Sequence, residues 1–102
     1  MYIYNVTIKI EKSIEQEWLN WMKEEHIKDV INTGLFHDYT FIELLEPTDE
    51  DGGKTFIVQY HTNNLSDYNK YIEEHATALR EKAFSKFGNR FIAFRTLLKK
   101  HN

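Results

Sequence analysis

The sequence predicts an α+β fold with six elements in the order β-α-β-β-α-β, and three observations carry that prediction. Tyr2, Tyr4, Val6, Ile8 and Ile10 alternate with Ile3, Asn5, Thr7 and Lys9, the period-two pattern of a strand rich in aromatic and β-branched residues. From Ile14 the apolar residues Ile14, Trp18, Trp21 and Met22 fall at i, i+4, i+7 and i+8, one stripe of a helix. That helix has an echo about fifty residues later. The stretches Trp18–His26 and Tyr68–His75 each set two aromatics three apart, follow the second with an aliphatic residue, and close on Glu-Glu-His.

The remaining elements follow in order. Ser13 with Gln16 three residues later is a capping-box pattern at the first helix start. Glu25 continues the stripe at i+11 with His26 on its flank, and Thr33-Gly34 supplies a stop, with a kink or loosening before it left open. Leu35 to Leu45 reads as a second strand whose apolar residues occupy both faces, so neither face is expected to be freely solvated. The polar stretch Pro47 to Gly53 reads as a hairpin connection into a third strand, Lys54 to Thr62. Asn64 with Asp67 marks the second helix start, and Tyr68, Tyr71, Ile72, His75, Ala76 and Leu79 form its stripe. It ends near Phe87-Gly88, and Arg90 to Lys99 is the last strand.

Two βαβ halves joined by a hairpin fold most economically as a ferredoxin-like sandwich. Four antiparallel strands then form one sheet with both helices on one face, a single domain spanning residues 1–102. The second sheet face has no cover within the chain and would carry Ile3, Ile57 and large apolar groups from the outer strands. Such a patch marks an interface, so a homodimer with its two sheets packed face to face is expected.

Composition narrows the function classes. The net charge of -3 and the absence of a Lys/Arg cluster argue against nucleic-acid binding, which needs a basic face for phosphates. No cysteine is present, which excludes disulfides, thiolate metal sites and thiol catalysis. The N-terminus has no signal-like segment and no apolar run reaches membrane-span length, so the chain is expected to be cytoplasmic, without a membrane partner. Aromatic residues make up 15% of the chain, enough for a crowded core or an aromatic-lined cavity.

The candidates for chemistry are few. His75 lies within the apolar stripe of the second helix, where a histidine serves either as a proton shuttle or as a core residue with one hydrogen bond. His26, on the flank of the first helix's stripe, admits the same two readings. Glu25 on a buried stripe requires a partner, a histidine or Arg95, unless the helix ends before it. These three are the candidate catalytic residues. Adjacent helical residues diverge by about 100° and cannot chelate together, so Glu-Glu-His is not read as a metal site. Asp49 to Gly53 lacks the spacing of a calcium loop. Asn5, Thr7, Gln59, His61, Arg95 and Thr96 form a polar minority on the strands. They either line a ligand pocket or satisfy one another across strands. Asn5, Trp21, Tyr71 and Arg95 are the candidate ligand-binding residues. No cofactor is indicated by the residues themselves.

Many local features coincide with one family. Trp21-Met22, His26-Ile27, Asp29-Val30, Thr33-Gly34-Leu35-Phe36, Val58-Gln59-Tyr60, Tyr68 with Tyr71, Glu74-His75-Ala76, Leu79-Arg80, Phe87-Gly88 and Phe94-Arg95-Thr96-Leu97 resemble a bacterial family, domain of unknown function 4286, over essentially the whole chain. The chain departs from it at Lys28 and Thr77, where proline is usual. The family has no established activity to carry over. More remotely, the element order resembles the dimeric α/β-barrel superfamily, whose members include antibiotic-biosynthesis and haem-degrading monooxygenases, small isomerases and proteins without known catalysis. Haem-degrading members use a first-strand asparagine, a helix histidine and a tryptophan. Asn5 and His75 lie in comparable places, but Tyr68 and Tyr71 stand where the tryptophan would be.

Three readings are therefore open. The first is a dimeric α/β barrel that binds a small apolar or aromatic ligand between helices and sheet. The second is a monooxygenase-like enzyme, cofactor-independent or haem-dependent. The third is a structural or protein-binding dimer without a pocket.

Overall fold

The computed structural model describes residues 1–102. Four strands, β1 (Tyr2–Ile10), β2 (Asp38–Leu44), β3 (Lys54–Thr62) and β4 (Phe91–Lys99), form one antiparallel sheet in the order β2-β3-β1-β4. Two helical rods cover one face. The first runs from a 3-10 turn (Lys12–Ile14) through α1 (Glu15–Trp21) and a π turn (Met22–His26) into α2 (Ile27–Ile31). The second is α3 (Leu65–Tyr71), a π turn (Ile72–Ala76) and α4 (Thr77–Phe87). This is the ferredoxin-like α+β sandwich that the element order predicts. No helix is long and apolar enough to cross a membrane.

Strand alternation sorts the sheet into two unlike faces. Tyr4, Val6, Ile8 and Ile10 of β1 and Phe56, Val58 and Tyr60 of β3 are buried under the rods, where Trp18, Trp21, Met22, Ile27, Val30 and Tyr71 pack onto them. Burying such side chains contributes roughly 1.5–3 kcal/mol each. Registered residues share a face, so Asn5, Gln59, Thr40 and Thr96 form a polar row across all four strands on the uncovered side. Exposed Ile42 and Phe94 flank it on one side and Leu98 on the other, with Ile92 beyond.

The structure corrects four local expectations. Ser13 lies inside the 3-10 turn, Glu11 is the N-cap without a side-chain bond, and the Ser13–Gln16 capping box does not form. The strand predicted from Leu35 starts at Asp38, because Phe36 turns into the core against Tyr4. β2 is a sheet edge, and Tyr39, Ile42 and Leu44 are exposed on both its faces rather than covered. The helices do not keep one 3.6-residue period: each carries a π turn at its Glu-Glu-His segment. The glycine stop holds, with Gly34 at φ 78° and its N–H donating to the Ile31 carbonyl at 3.0 Å.

A candidate cleft beneath the first π turn

The site begins with one extra residue. In a regular α-helix the position four after Trp21 faces the sheet, and that position is Glu25. In the π turn the Ile27 N–H donates to the Met22 carbonyl, five residues back. The wider turn passes the inward position to His26 and carries Glu25 out to solvent. A carboxylate avoids burial, and the imidazole, which loses less on desolvation when neutral, takes its place. The second rod makes the same adjustment. Regular geometry would turn His75 inward, four after Tyr71, and the π turn substitutes Ala76, which is 1% exposed.

His26 lines a cleft between the rods and the sheet. The cavity volume is about 50 Å³, or about 540 Å³ of atom-free space when its solvent-open mouth is counted. Val6, Ile8 and Ala93 form the floor, Trp21, Tyr71 and Ala83 contribute walls, and the only lining residues that are not hydrophobic are His26, Arg80 and Arg95. The His26 ring stacks on Trp21 with centroids 4.7 Å apart, and Trp21 meets Phe87 edge-on at 5.3 Å. Burial depresses the His26 pKa to about 4; the Asp29 charge opposes the shift, while Lys82 and Arg95 assist it. The ring is therefore neutral at pH 7. Its Nδ1 is buried without a hydrogen-bond partner.

The same cavity carries further polar groups that can meet a ligand. Arg80 donates from Nη2 to the Tyr4 Oη at 3.1 Å. Burial pushes the Tyr71 hydroxyl pKa up, so it stays protonated. Arg95 reaches the cleft from β4, opposite Val6 in register.

Of the residues expected from sequence, His26, Trp21, Tyr71 and Arg95 meet at this cleft. Glu25 does not; it is exposed and pairs with Lys82 at 3.2 Å. His75 is half-buried against the Tyr71 ring, with centroids 6.2 Å apart, and does not line the cleft. Asn5 lies on the uncovered sheet face, where its Oδ1 accepts from Gln59 Nε2 at 3.2 Å and its Nδ2 donates to Thr7 Oγ1 at 3.3 Å. The polar minority of the strands thus divides: Arg95 alone of that set faces the rods. Sequence reasoning missed Arg80 and Tyr4. A cation four residues after Ala76, on the inward stripe of the second helix, was the available signal for Arg80.

The cleft and sandwich together define the class: a ferredoxin-like α+β protein with an apolar, histidine-bearing cavity between its helices and sheet. Solved structures share this fold. One is an ethyl tert-butyl ether d (ethd) family protein from Bacillus halodurans, with TM-score 0.68, 11% identity, and coverage of 98% of this chain and 99% of that one. A candidate antibiotic biosynthesis monooxygenase from Deinococcus radiodurans aligns with TM-score 0.66 and 14% identity, covering 100% of this chain and 94% of that one. A variant of SnoaB, a cofactor-independent oxygenase from Streptomyces nogalater, gives TM-score 0.65 and 9% identity over 99% of this chain and 94% of that one. At such identities the likeness is one of fold. No curated protein matches the sequence. The chain belongs to the family Domain of unknown function (DUF4286), whose model matches residues 1–101.

Proposed function

We propose that this protein binds a small apolar or aromatic molecule in the cleft between rods and sheet, acting as a cytoplasmic homodimer in a bacterial cell. The observation that carries the binding reading is His26, on the wall of a cavity whose other lining residues are apolar apart from Arg80 and Arg95, with its buried Nδ1 lacking a hydrogen-bond partner. A buried polar atom without a partner costs about 1–3 kcal/mol, so this wall favours an occupant that offers the imidazole a hydrogen bond. Trp21 and Tyr71 supply flat surfaces for a ring. The homodimer rests on the uncovered sheet face, where Ile42, Ile92, Phe94 and Leu98 are exposed around the polar row. Two such faces packed about a twofold axis would cover them.

The binding test is an NMR titration with 1-naphthamide, a neutral bicyclic probe. Saturable shifts of the Trp21 indole and His26 ring resonances, abolished by the cavity-filling substitution Ala83→Phe, are the expected result. No shift at millimolar probe, or shifts confined to the open sheet face, refutes the cleft. An oxygenase reading draws support from the fold likeness alone. Its haem-dependent form asks Asn5 and His75 to converge, and the sheet lies between them.

A further inference from the structure

The proposed cleft has a one-sided electrical character that specifies its occupant further. Every ion pair in the chain uses a lysine: Lys9, Lys54, Lys70, Lys82 and Lys86. Arg80 and Arg95 are paired with no carboxylate, and both border the same apolar cavity. No Asp or Glu lines it. The nearest acids on the first rod, Glu25 and Asp29, are held on the outside by Lys82, at 3.2 and 3.1 Å.

Arg80 and Tyr4 add a direction. The Arg80 guanidinium donates to the Tyr4 oxygen at 3.1 Å, which leaves the Tyr4 hydroxyl proton free to be given away. The polar groups at the cavity are thus weighted towards donors, two guanidiniums and three phenols, beside the neutral imidazole. Free donors beside an apolar chamber recognise an acceptor that carries negative charge.

We propose that the occupant is an amphipathic anion: an aromatic or aliphatic body seated against Trp21 and Tyr71, with a carboxylate held at the mouth by Arg80 and Arg95. This inference rests on the cleft reading above and adds the charge class of the ligand. Arg95 stands on the β4 edge strand and Arg80 on the second rod, so the two cations approach the mouth from different elements. A carboxylate between them receives charge-assisted donors from two sides.

The test uses three probes of one shape: 1-naphthoate, 1-naphthamide and 1-naphthylmethylammonium, each titrated by NMR at pH 7 against the full chain. Naphthoate is expected to bind about tenfold tighter than the amide, as one charge-assisted contact provides. Its affinity should fall between low and high salt while that of the amide does not. The naphthoate-to-amide affinity ratio should drop towards one in Arg95→Gln. Arg80→Gln should do the same, with Arg95→Gln the cleaner variant because Arg80 also holds Tyr4. Equal affinity for naphthoate and amide, or preference for the ammonium, overturns the anion proposal and leaves the apolar cleft standing. Binding of none of the three overturns the cleft and the anion proposal with it.

Discussion

His26 shows how one residue records the constraints on its surroundings. Its ring is stacked on Trp21, its Nδ1 is unpaired, and its pKa lies near 4 against an ordinary 6.5. Because the folded value is the lower one, the unfolded chain binds the proton more readily between these limits. Stability should therefore be full above pH 6.5 and fall as pH drops towards 4, by about 2 kcal/mol at pH 5 from this group alone. Urea unfolding of wild type and His26→Phe at pH 7 and pH 5 isolates the effect: the wild type should lose about 2 kcal/mol more than the variant. Equal losses would show that His26 titrates normally in the folded chain. The variant should also be at least as stable at pH 7, since it removes a buried polar atom without a partner. Trp18 shows the opposite case, an aromatic with packing alone to explain it. It is 2% exposed between Phe41 and Phe56, and Trp18→Ala should cost about 3–5 kcal/mol in chemical denaturation.

The π turns belong to the scale of elements. Each inserts one residue into a helix whose apolar stripe would otherwise keep an unbroken helical period. Removing the exposed Glu24 places His26 four residues after Trp21 and lets the first rod close as a regular helix with Ile27 and Val30 still inward. That deletion is expected to change stability by no more than about 1 kcal/mol, although a mid-helix deletion ordinarily rotates everything beyond it. Deleting Asn20 is the comparison. It leaves Trp18 and Trp21 two residues apart, about 200° around the helix, so one of two buried indoles must leave the core. Circular dichroism and urea midpoints separate the outcomes; equal destabilisation by both deletions would mean the π turn is not a removable insertion. Lys82, which joins α4 to Glu25 and Asp29 across the two rods, forms exposed ion pairs that solvent screens and that should contribute little to stability.

For the whole molecule the decisive surface is the uncovered side of the sheet. Phe94 is 66% exposed and Ile92 58%, values a solitary soluble chain rarely tolerates beside Ile42 and Leu98. The face is not uniformly greasy, because Asn5 and Gln59 satisfy each other at its centre. Sedimentation equilibrium at micromolar concentration should report a dimer for the wild type and a monomer for Phe94→Glu combined with Ile42→Glu. A wild-type monomer at that concentration would remove the homodimer from the proposal. Since the cleft is built from one chain's residues, the monomeric variant should still bind 1-naphthamide.

The order of elements, the strand faces and the core aromatics were legible in the residues. Period-two alternation and the Ile14–Met22 stripe are local patterns that burial of one face imposes directly. The glycine stops were legible for the same reason, since Gly34 and Gly88 hold positive φ. The inward histidine was not. The 3.6-residue period points to Glu25 and His75, and the only trace of the π turns was the improbability of a carboxylate on a buried stripe. Separating Asn5 from Arg95 needed the register across β1 and β4, which local pattern does not contain. Bringing Arg80, Arg95 and His26 to one cavity needed both rods laid on the sheet. Sequence alone determined which faces are apolar, because that depends on neighbours a few residues away. Tertiary structure decided which polar groups share the cleft, because that depends on residues tens of positions apart meeting across the core.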